Sequence, residues 1–183
     1  MSGETVKAVD GQTAVMRTVM WGGAVALLLA PAVAMQFTTE VQWTLFDFAL
    51  MGVLLAIACG VGELVLRASD SLTYRLGAAV AIGTTFVLGV GKLAVGLIGS
   101  EDNPANDRVW AVLAVGVVGA LIARFKPRGL SLVMVALAAG QVGLALYADA
   151  TAQDLPLRIT VVFVTGWLVA AALFDRAARE GRA

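Results

Sequence analysis

Two ionisable residues, Asp47 and Lys92, lie inside long apolar stretches of the chain. Asp47 follows Trp43 by four positions and Lys92 precedes Gly99 by seven, so both lie ~6–10 Å from one membrane face at ~1.5 Å per helical residue. Ionisable groups in hydrocarbon are costly and often mark functional sites. The two could handle an ion, form a structural ion pair between adjacent helices, or snorkel to the interface. Thr85 lies two helical turns from Lys92, on the same face.

A second candidate is the polar turn at residues 99–107, with the sequence GSEDNPAND. Glu101, Asp102, Asn103 and Asn106 supply carboxylate and amide oxygens, which hard cations such as calcium prefer. However, the turn lacks the alternating ligands and central glycine of a calcium loop. We therefore favour an ordered connector, in which Asp102 or Asn103 accepts backbone N–H bonds near the following proline. The sequence predicts no metal site and no cofactor.

Residues that commonly carry catalysis are scarce in this chain. It has no histidine, the commonest general base. Its one cysteine, Cys59, lies in the middle of an apolar stretch, where a thiol is inert and acts as a small packing residue. Few polar residues lie deep in the apolar stretches, namely Thr84, Thr85, Gln141, Thr160 and Thr165. We predict that the protein is not an enzyme and has no catalytic residue.

Six apolar segments must position these side chains. They cover residues 18–37, 43–66, 76–99, 109–125, 130–148 and 157–174. Crossing a hydrocarbon core of ~30 Å takes ~20 helical residues. Hydrophobic residues make up 60% of the chain and charged residues 14%, against ~45–50% and ~25% in soluble domains. The sequence predicts an all-α, polytopic membrane bundle of six transmembrane helices, forming a single integral membrane domain over residues 1–183.

Three local patterns refine this bundle. Glycines crowd the third segment, which favours close helix packing and a central position. The run Lys126-Pro127-Arg128-Gly129 predicts a tight turn between segments four and five. Glu63 and Arg67 are four residues apart, so they predict a salt bridge on one helix face.

The distribution of charge predicts the orientation of the chain. The net charge is zero, but ten of the thirteen cations fall at the same ends of the segments: Lys7, Arg17, Arg67, Arg75, Arg124, Lys126, Arg128, Arg176, Arg179 and Arg182. The positive-inside rule assigns these ends to the cytoplasm. Both termini are therefore predicted to be cytoplasmic.

Two stretches, WTLFDF at residues 43–48 and LAVGLIGSEDNPAN at residues 93–106, resemble a family of short, uncharacterised bacterial multi-pass inner-membrane proteins. The resemblance implies a bacterial inner (plasma) membrane and little about mechanism. In that family an amide side chain is associated with the position of Lys92. A lysine there would be a departure from the family, and the polar turn would outrank the Asp47–Lys92 pair as a shared site.

Three classes of function remain open. A structural or accessory membrane component is favoured, because the loops are short and no catalytic motif is present. A small transporter or ion-translocating protein that uses Asp47 and Lys92 is the alternative, and a membrane enzyme is the least favoured class. The expected partners are membrane lipids, together with other proteins or further copies of the chain. No nucleic-acid partner is expected.

Overall fold

The structure is a computed structural model that describes residues 3–95, 97–98, 103–151, 153 and 155–181, with side chains described from residue 11 onward except at position 95. Over these residues every element of regular secondary structure is a helix. The helices are α1 (Gly3–Ala34), α2 (Leu45–Ala68), α3 (Leu72–Val95), α4 (Arg108–Ile122), α5 (Pro127–Ala150) and α6 (Leu157–Glu180). A short 3₁₀ turn, Pro104–Asp107, precedes α4.

Among the described residues, six helical stretches are long and apolar enough to cross a membrane. The shortest joins the 3₁₀ turn to α4 and covers Pro104–Ile122, which is 19 residues. The all-α class and the number of predicted spans are therefore confirmed, and the architecture is that of a multi-pass membrane protein. The orientation of the termini stays a prediction.

Several helices extend beyond their predicted apolar segments, and the start of α3 and the end of α6 show the reason. Helix α3 begins at Leu72, four residues before the predicted start, and the Ser71 hydroxyl accepts a bond of 3.2 Å from the Tyr74 N–H. Helix α6 continues six residues past the predicted end. Its last turns carry two ion pairs four residues apart, Asp175–Arg179 and Arg176–Glu180. Polar caps and (i, i+4) pairs support helical turns that hydropathy alone does not mark.

The chain divides into two compact units, Met1–Asp70 and Ser71–Ala183. In the first unit α1 packs along α2. A stripe of α2 is buried, consisting of Leu55, Cys59, Gly62 and Leu66. A Cβ atom at Gly62 would overlap the Met20 sulfur, so the glycine permits this close approach. The Cys59 side chain is 3% exposed, as expected of a packing residue. The prediction of a single domain stays a prediction.

In the second unit, α5 and α6 provide most of the buried surface. Helix α6 packs against α5 and α3, and α4 packs against α5. The buried face of α6 consists of Thr160, Phe163, Trp167, Ala170, Ala171, Phe174, Ala177 and Ala178. These positions recur every three or four residues, which places them on one helix face.

Within the second unit, the glycine-rich helix α3 does not lie at the centre. Its position in the whole bundle stays a prediction. Helix α3 flanks α6 and makes few contacts with α4. At Gly77 a Cβ atom would lie 3.2 Å from Leu173 and Phe174, so this glycine does permit close packing. At Gly83, by contrast, an added Cβ atom would meet no other atom within 4 Å. Glycine content therefore did not identify the core helix, because small alanine side chains on α6 also allow close approach.

The turn between α4 and α5 lies earlier than predicted. Pro127 is the first residue of α5, so Pro127-Arg128-Gly129 form a helical turn. The chain reverses at Arg124 and Phe125, which have positive φ values of 51° and 56°. The Phe125 carbonyl accepts a bond of 2.9 Å from the Tyr74 hydroxyl. Proline at the first helical position costs no hydrogen bond, which is why the motif starts the helix.

Candidate functional site

Asp47 forms a capping box at the start of α2. Its carboxylate accepts bonds of 2.7 Å from both the backbone N–H and the hydroxyl of Thr44, and the Asp47 N–H donates to that hydroxyl at 3.3 Å. The box satisfies backbone N–H groups that the first helical turn leaves unpaired. The carboxylate also lies where the helix dipole favours negative charge. Asp47 therefore has a complete structural role within its own unit.

Lys92 is held near the start of α4. Its Nζ atom lies 3.2 Å from Asp107 Oδ1 and 5.3 Å from the centroid of the Trp110 ring. The Lys92 side chain is 18% exposed and that of Asp107 is 74% exposed. The ring face attracts the ammonium group in addition to the carboxylate. The predicted Asp47–Lys92 pair would join the two units and stays a prediction, but each residue has a partner inside its own unit.

Thr84 and Thr85 both satisfy their hydroxyl groups within α3. The Thr84 hydroxyl donates to the Val80 carbonyl at 2.8 Å, and the Thr85 hydroxyl donates to the Ala81 carbonyl at 2.8 Å. Threonine commonly bonds back to the preceding helical turn in this way. Thr85 thus shares a helix with Lys92, and its hydroxyl proton is already engaged.

Asn106 is a buried connector between the end of α3 and the start of α4. Its side chain is 2% exposed. The Oδ1 atom accepts bonds from the N–H groups of Leu97 at 2.7 Å and Ile98 at 2.8 Å. The Nδ2 group donates to the Ile98 carbonyl at 3.3 Å. One amide side chain therefore pairs three backbone groups in a segment that follows the last turn of α3.

Asn103 caps the 3₁₀ turn. Its Oδ1 atom accepts the Ala105 N–H at 2.9 Å, and its Nδ2 group donates to Gln153 Oε1 at 2.6 Å. The expected backbone bond near Pro104 is therefore confirmed for Asn103. Glu101 and Asp102 lie outside the described residues. Within the described ranges, no three His, Cys, Asp or Glu residues are placed to hold a metal ion.

Glu63 joins α1 to α2. Arg17 donates to the two Glu63 carboxylate oxygens, from Nε at 2.9 Å and from Nη2 at 2.5 Å. The predicted partner, Arg67, is present at 3.4 Å. Sequence analysis missed Arg17 because it lies 46 positions away. The sequence feature that could have predicted this pair is that Arg17 and Glu63 fall at the same end of two adjacent apolar segments.

The centre of the second unit holds polar atoms that sequence analysis only partly found. Gln141 Oε1, Thr160 Oγ1 and Trp167 Nε1 are buried and have no hydrogen-bond partner among the described residues. Gln141 and Thr160 were noted as deep polar residues, but Trp167 was not. The sequence feature that could have identified Trp167 is its spacing from Thr160: the two are seven residues apart and therefore lie on one face of α6.

The chain matches no protein-family model, no curated protein and no solved structure. Its function is therefore inferred from the side-chain contacts described above.

Proposed function

We propose that this protein is a structural or accessory component of a bacterial inner membrane, rather than an enzyme or a transporter. The observation that carries the proposal is that three charged side chains in its apolar helices each have a local structural partner. Asp47 caps α2, Lys92 pairs with Asp107 and Glu63 pairs with Arg17. Groups that bind or transfer an ion must instead exchange partners during each cycle.

Two open hollows at the surface of the described residues also support an accessory role. One lies between the start of α5 and the end of α6, and the other lies in the connection after α1, at residues 35–40. Both are at helix ends. Small-molecule sites usually lie in concave apolar clefts with a few convergent polar groups. Contacts with lipid and with other membrane proteins suit this surface better than capture of a solute.

The proposed orientation and partners follow from the charge distribution and from the family resemblance. Basic residues at the α4–α5 turn and the end of α6 suit a cytoplasmic face with anionic lipid headgroups. The proposed partners are membrane lipids and either other membrane proteins or further copies of this chain. The resemblance over residues 43–48 and 93–106 supports a bacterial inner membrane.

The proposal is tested by purification in mild detergent at native expression, followed by identification of co-purifying proteins and lipids. We expect one or more membrane proteins, or a second copy of the chain, at near-stoichiometric amounts. The matched control is Lys92→Met, which should retain the same partners because Lys92 is engaged within its own unit. Recovery of single chains with lipid alone would contradict the proposed role.

The transporter alternative is tested by ion flux into vesicles that contain the purified protein. We expect no flux above protein-free vesicles. Flux that is lost in both Asp47→Asn and Lys92→Met, and retained in the exposed control Asp149→Asn, would instead favour ion translocation. Thermal stability of Asp47→Leu, Lys92→Met and the double variant tests the Asp47–Lys92 pair separately, since partners that touch give non-additive losses.

Orientation is tested by labelling introduced cysteines with an impermeant thiol reagent. Thr39→Cys should react from outside intact spheroplasts, and Gly181→Cys only after the membrane is opened. The wild-type protein is the control, because Cys59 is buried in the middle of α2 and should not react. The opposite pattern would reverse the proposed orientation.

A further inference from the structure

The start of α5 and the end of α6 form an open hollow of about 240 Å³. Three residues from each helix end line it: Lys126, Pro127, Arg128, Ala177, Ala178 and Gly181. Helix α6 thus contributes nothing larger than a methyl group to the lining, which is why the space is not filled by a side chain. Pockets for drug-sized molecules measure ~300–1,000 Å³, so this smaller hollow suits one small chemical group.

The basic side chains at this hollow are not neutralised by the protein. Arg124, Lys126 and Arg128 are exposed and fall within five consecutive residues. Within the described part of the chain, no ion pair involves any of the three. Like charges held so close repel one another, and an anion placed between them removes that repulsion. The charge of the hollow therefore favours a negatively charged group.

The acidic residues at the end of α6 already have partners on other helical turns. Asp175 pairs with Arg179 at 2.6 Å, and Glu180 pairs with Arg176 at 2.9 Å. Glu180 is also hydrogen-bonded to Thr73 of α3. These carboxylates are thus engaged away from the start of α5. The anion that complements the hollow must come from outside the described chain.

The position of the hollow indicates where that anion comes from. The fourth membrane-spanning stretch ends at Ile122 and the fifth begins at Pro127, so only residues 123–126 connect them. A connection this short must go out and back, so it reaches only about 7 Å beyond the helix ends at ~3.5 Å per residue. Headgroups fill about that depth on each side of the hydrocarbon core. The hollow therefore lies in the layer that contains lipid phosphates.

The turn that carries these cations is held in place. The chain reverses at Arg124 and Phe125, where both φ values are positive. The Phe125 carbonyl accepts the Tyr74 hydroxyl at 2.9 Å, and the Tyr74 ring, which is buried, packs edge-on against Phe174. A fixed turn loses little conformational entropy when it binds a ligand.

An apolar strip continues from the hollow along α5. Arg128, Leu132 and Val135 are spaced by four and three residues, so they share one helix face. Leu132 and Val135 are exposed. A lipid with its phosphate beside Arg128 can lay an acyl chain along this strip, whereas a free phosphate ion makes no use of it.

We propose, building on the lipid partners proposed above, that the hollow between α5 and α6 binds the phosphate group of an anionic phospholipid. Lys126 and Arg128 are its cationic ligands, and Leu132 and Val135 contact an acyl chain. Basic pockets between helix ends are suited to lipid headgroups because the headgroup supplies the missing charge. Arg124 adds to the local positive charge without lining the hollow.

Native mass spectrometry of the detergent-purified protein with added lipid tests the site. The probes are dioleoylphosphatidylglycerol, which is anionic, and dioleoylphosphatidylcholine, which has the same phosphate and chains but no net charge. We expect the first bound phosphatidylglycerol to have a dissociation constant at least tenfold lower than that of phosphatidylcholine. Millimolar inorganic phosphate should not displace it. Equal affinity for the two lipids, or displacement by inorganic phosphate, would overturn the proposal.

Variants locate the binding. Lys126→Gln and Arg128→Gln should each raise the dissociation constant of phosphatidylglycerol about fivefold, which corresponds to ~1 kcal/mol for each cation near an anionic surface. The double variant should raise it about thirtyfold on the same scale. The charge-preserving exchange of Lys126→Arg with Arg128→Lys should retain binding. Unchanged melting midpoints without lipid confirm that the variants fold, and the single variants provide the test if the double variant does not.

The matched control is Arg176→Gln with Arg179→Gln. It removes two cations from the same end of the bundle, but both are paired within α6. It should change the dissociation constant less than the variants in the hollow. Equal losses in the two double variants would show that net charge alone attracts the lipid, and the site would be wrong. That result would leave the accessory role standing if protein partners still co-purify, whereas recovery of single chains with lipid would contradict the role and leave this site intact.

Discussion

The two compact units of this protein are held together by different interactions. In the first unit, one end of the α1–α2 pair carries a charged cluster of Arg17, Glu63 and Arg67. In the second unit, α6 buries an apolar face in which Trp167 and Phe174 are 0% and 2% exposed. The α1–α2 interface thus combines a narrow stripe of buried residues with ion pairs. The interfaces of α6 rely instead on the packing of complementary side-chain shapes and on neutral polar groups.

This difference follows from how membrane helices associate. Lipid tails are as apolar as leucine, so packing and hydrogen bonds, rather than exclusion from water, hold helices together. A pair of helices has one interface, whereas α6 has α5 and α3 as neighbours and can bury a large ring completely. The first unit should therefore respond to charge and salt, and the second to changes in side-chain volume.

The largest expected effect is from Trp167→Ala in the second unit. Truncating a buried tryptophan usually costs ~3–5 kcal/mol of unfolding free energy, and we expect the lower end of that range because lipid solvates apolar groups. Trp21→Ala is the matched control in α1, where the ring is 43% exposed. It should change stability by less than ~0.5 kcal/mol. Reversible unfolding in mixed micelles measures both, and equal losses would contradict the difference between the units.

Asn106→Leu should have the next largest effect. It leaves the buried N–H groups of Leu97 and Ile98 without their acceptor. An unsatisfied buried group costs ~1–3 kcal/mol, so we expect a loss of about 2–3 kcal/mol. Asn103→Ala, which removes one bond to the backbone and one to Gln153 at a part-buried site, is the control and should cost less. The same unfolding assay compares them, and a greater loss in Asn103→Ala would contradict the larger role assigned to Asn106.

Glu63→Gln should lower the melting midpoint by less than Asn106→Leu. Arg17→Met should follow, and Arg67→Met should be smallest, because its bond to Glu63 is 3.4 Å rather than 2.5 Å. High salt should reduce the differences among these variants, since screening weakens exposed ion pairs. Trp167→Ala is the salt-insensitive control. Melting curves at low and high salt test this. If Glu63→Gln lowers the melting midpoint equally at both salt concentrations, the Arg17–Glu63–Arg67 cluster is not screened by ions in the solvent.

The smallest effect is expected at Lys92 and Asp107. Because Asp107 is 74% exposed, the pair should contribute only ~0.2–1 kcal/mol of coupling. Lys92→Met, Asp107→Asn and the double variant form the cycle that measures it. Asp149→Asn replaces Asp107→Asn in the control cycle and should show no coupling to Lys92→Met. Coupling near zero in the first cycle would mean that the ammonium group is held by Trp110 alone.

The helices were predictable because their signals are local. Apolar length gave six spans, and the Asn103 cap follows from short polar residues near a proline. The predicted segments missed the first residues of α3 and the last residues of α6, because these helices continue into polar residues that hydropathy excludes. The α4–α5 turn was misplaced because proline can start a helix as well as end one. Among the candidate site residues, Asn103 has the capping role that the sequence predicted. The contact between Lys92 and Asp107 was identified only in the structure.

The sequence by itself determined six apolar helices and the capping role of Asn103. Only the tertiary structure decided that Glu63 meets Arg17, that Lys92 meets Asp107 and that Gln141 is buried. The physical reason is that helix formation depends on neighbours along the chain, whereas these contacts depend on the rotation and register of whole helices. In an apolar membrane helix, the faces toward lipid and toward protein have similar composition, so hydropathy cannot fix that rotation.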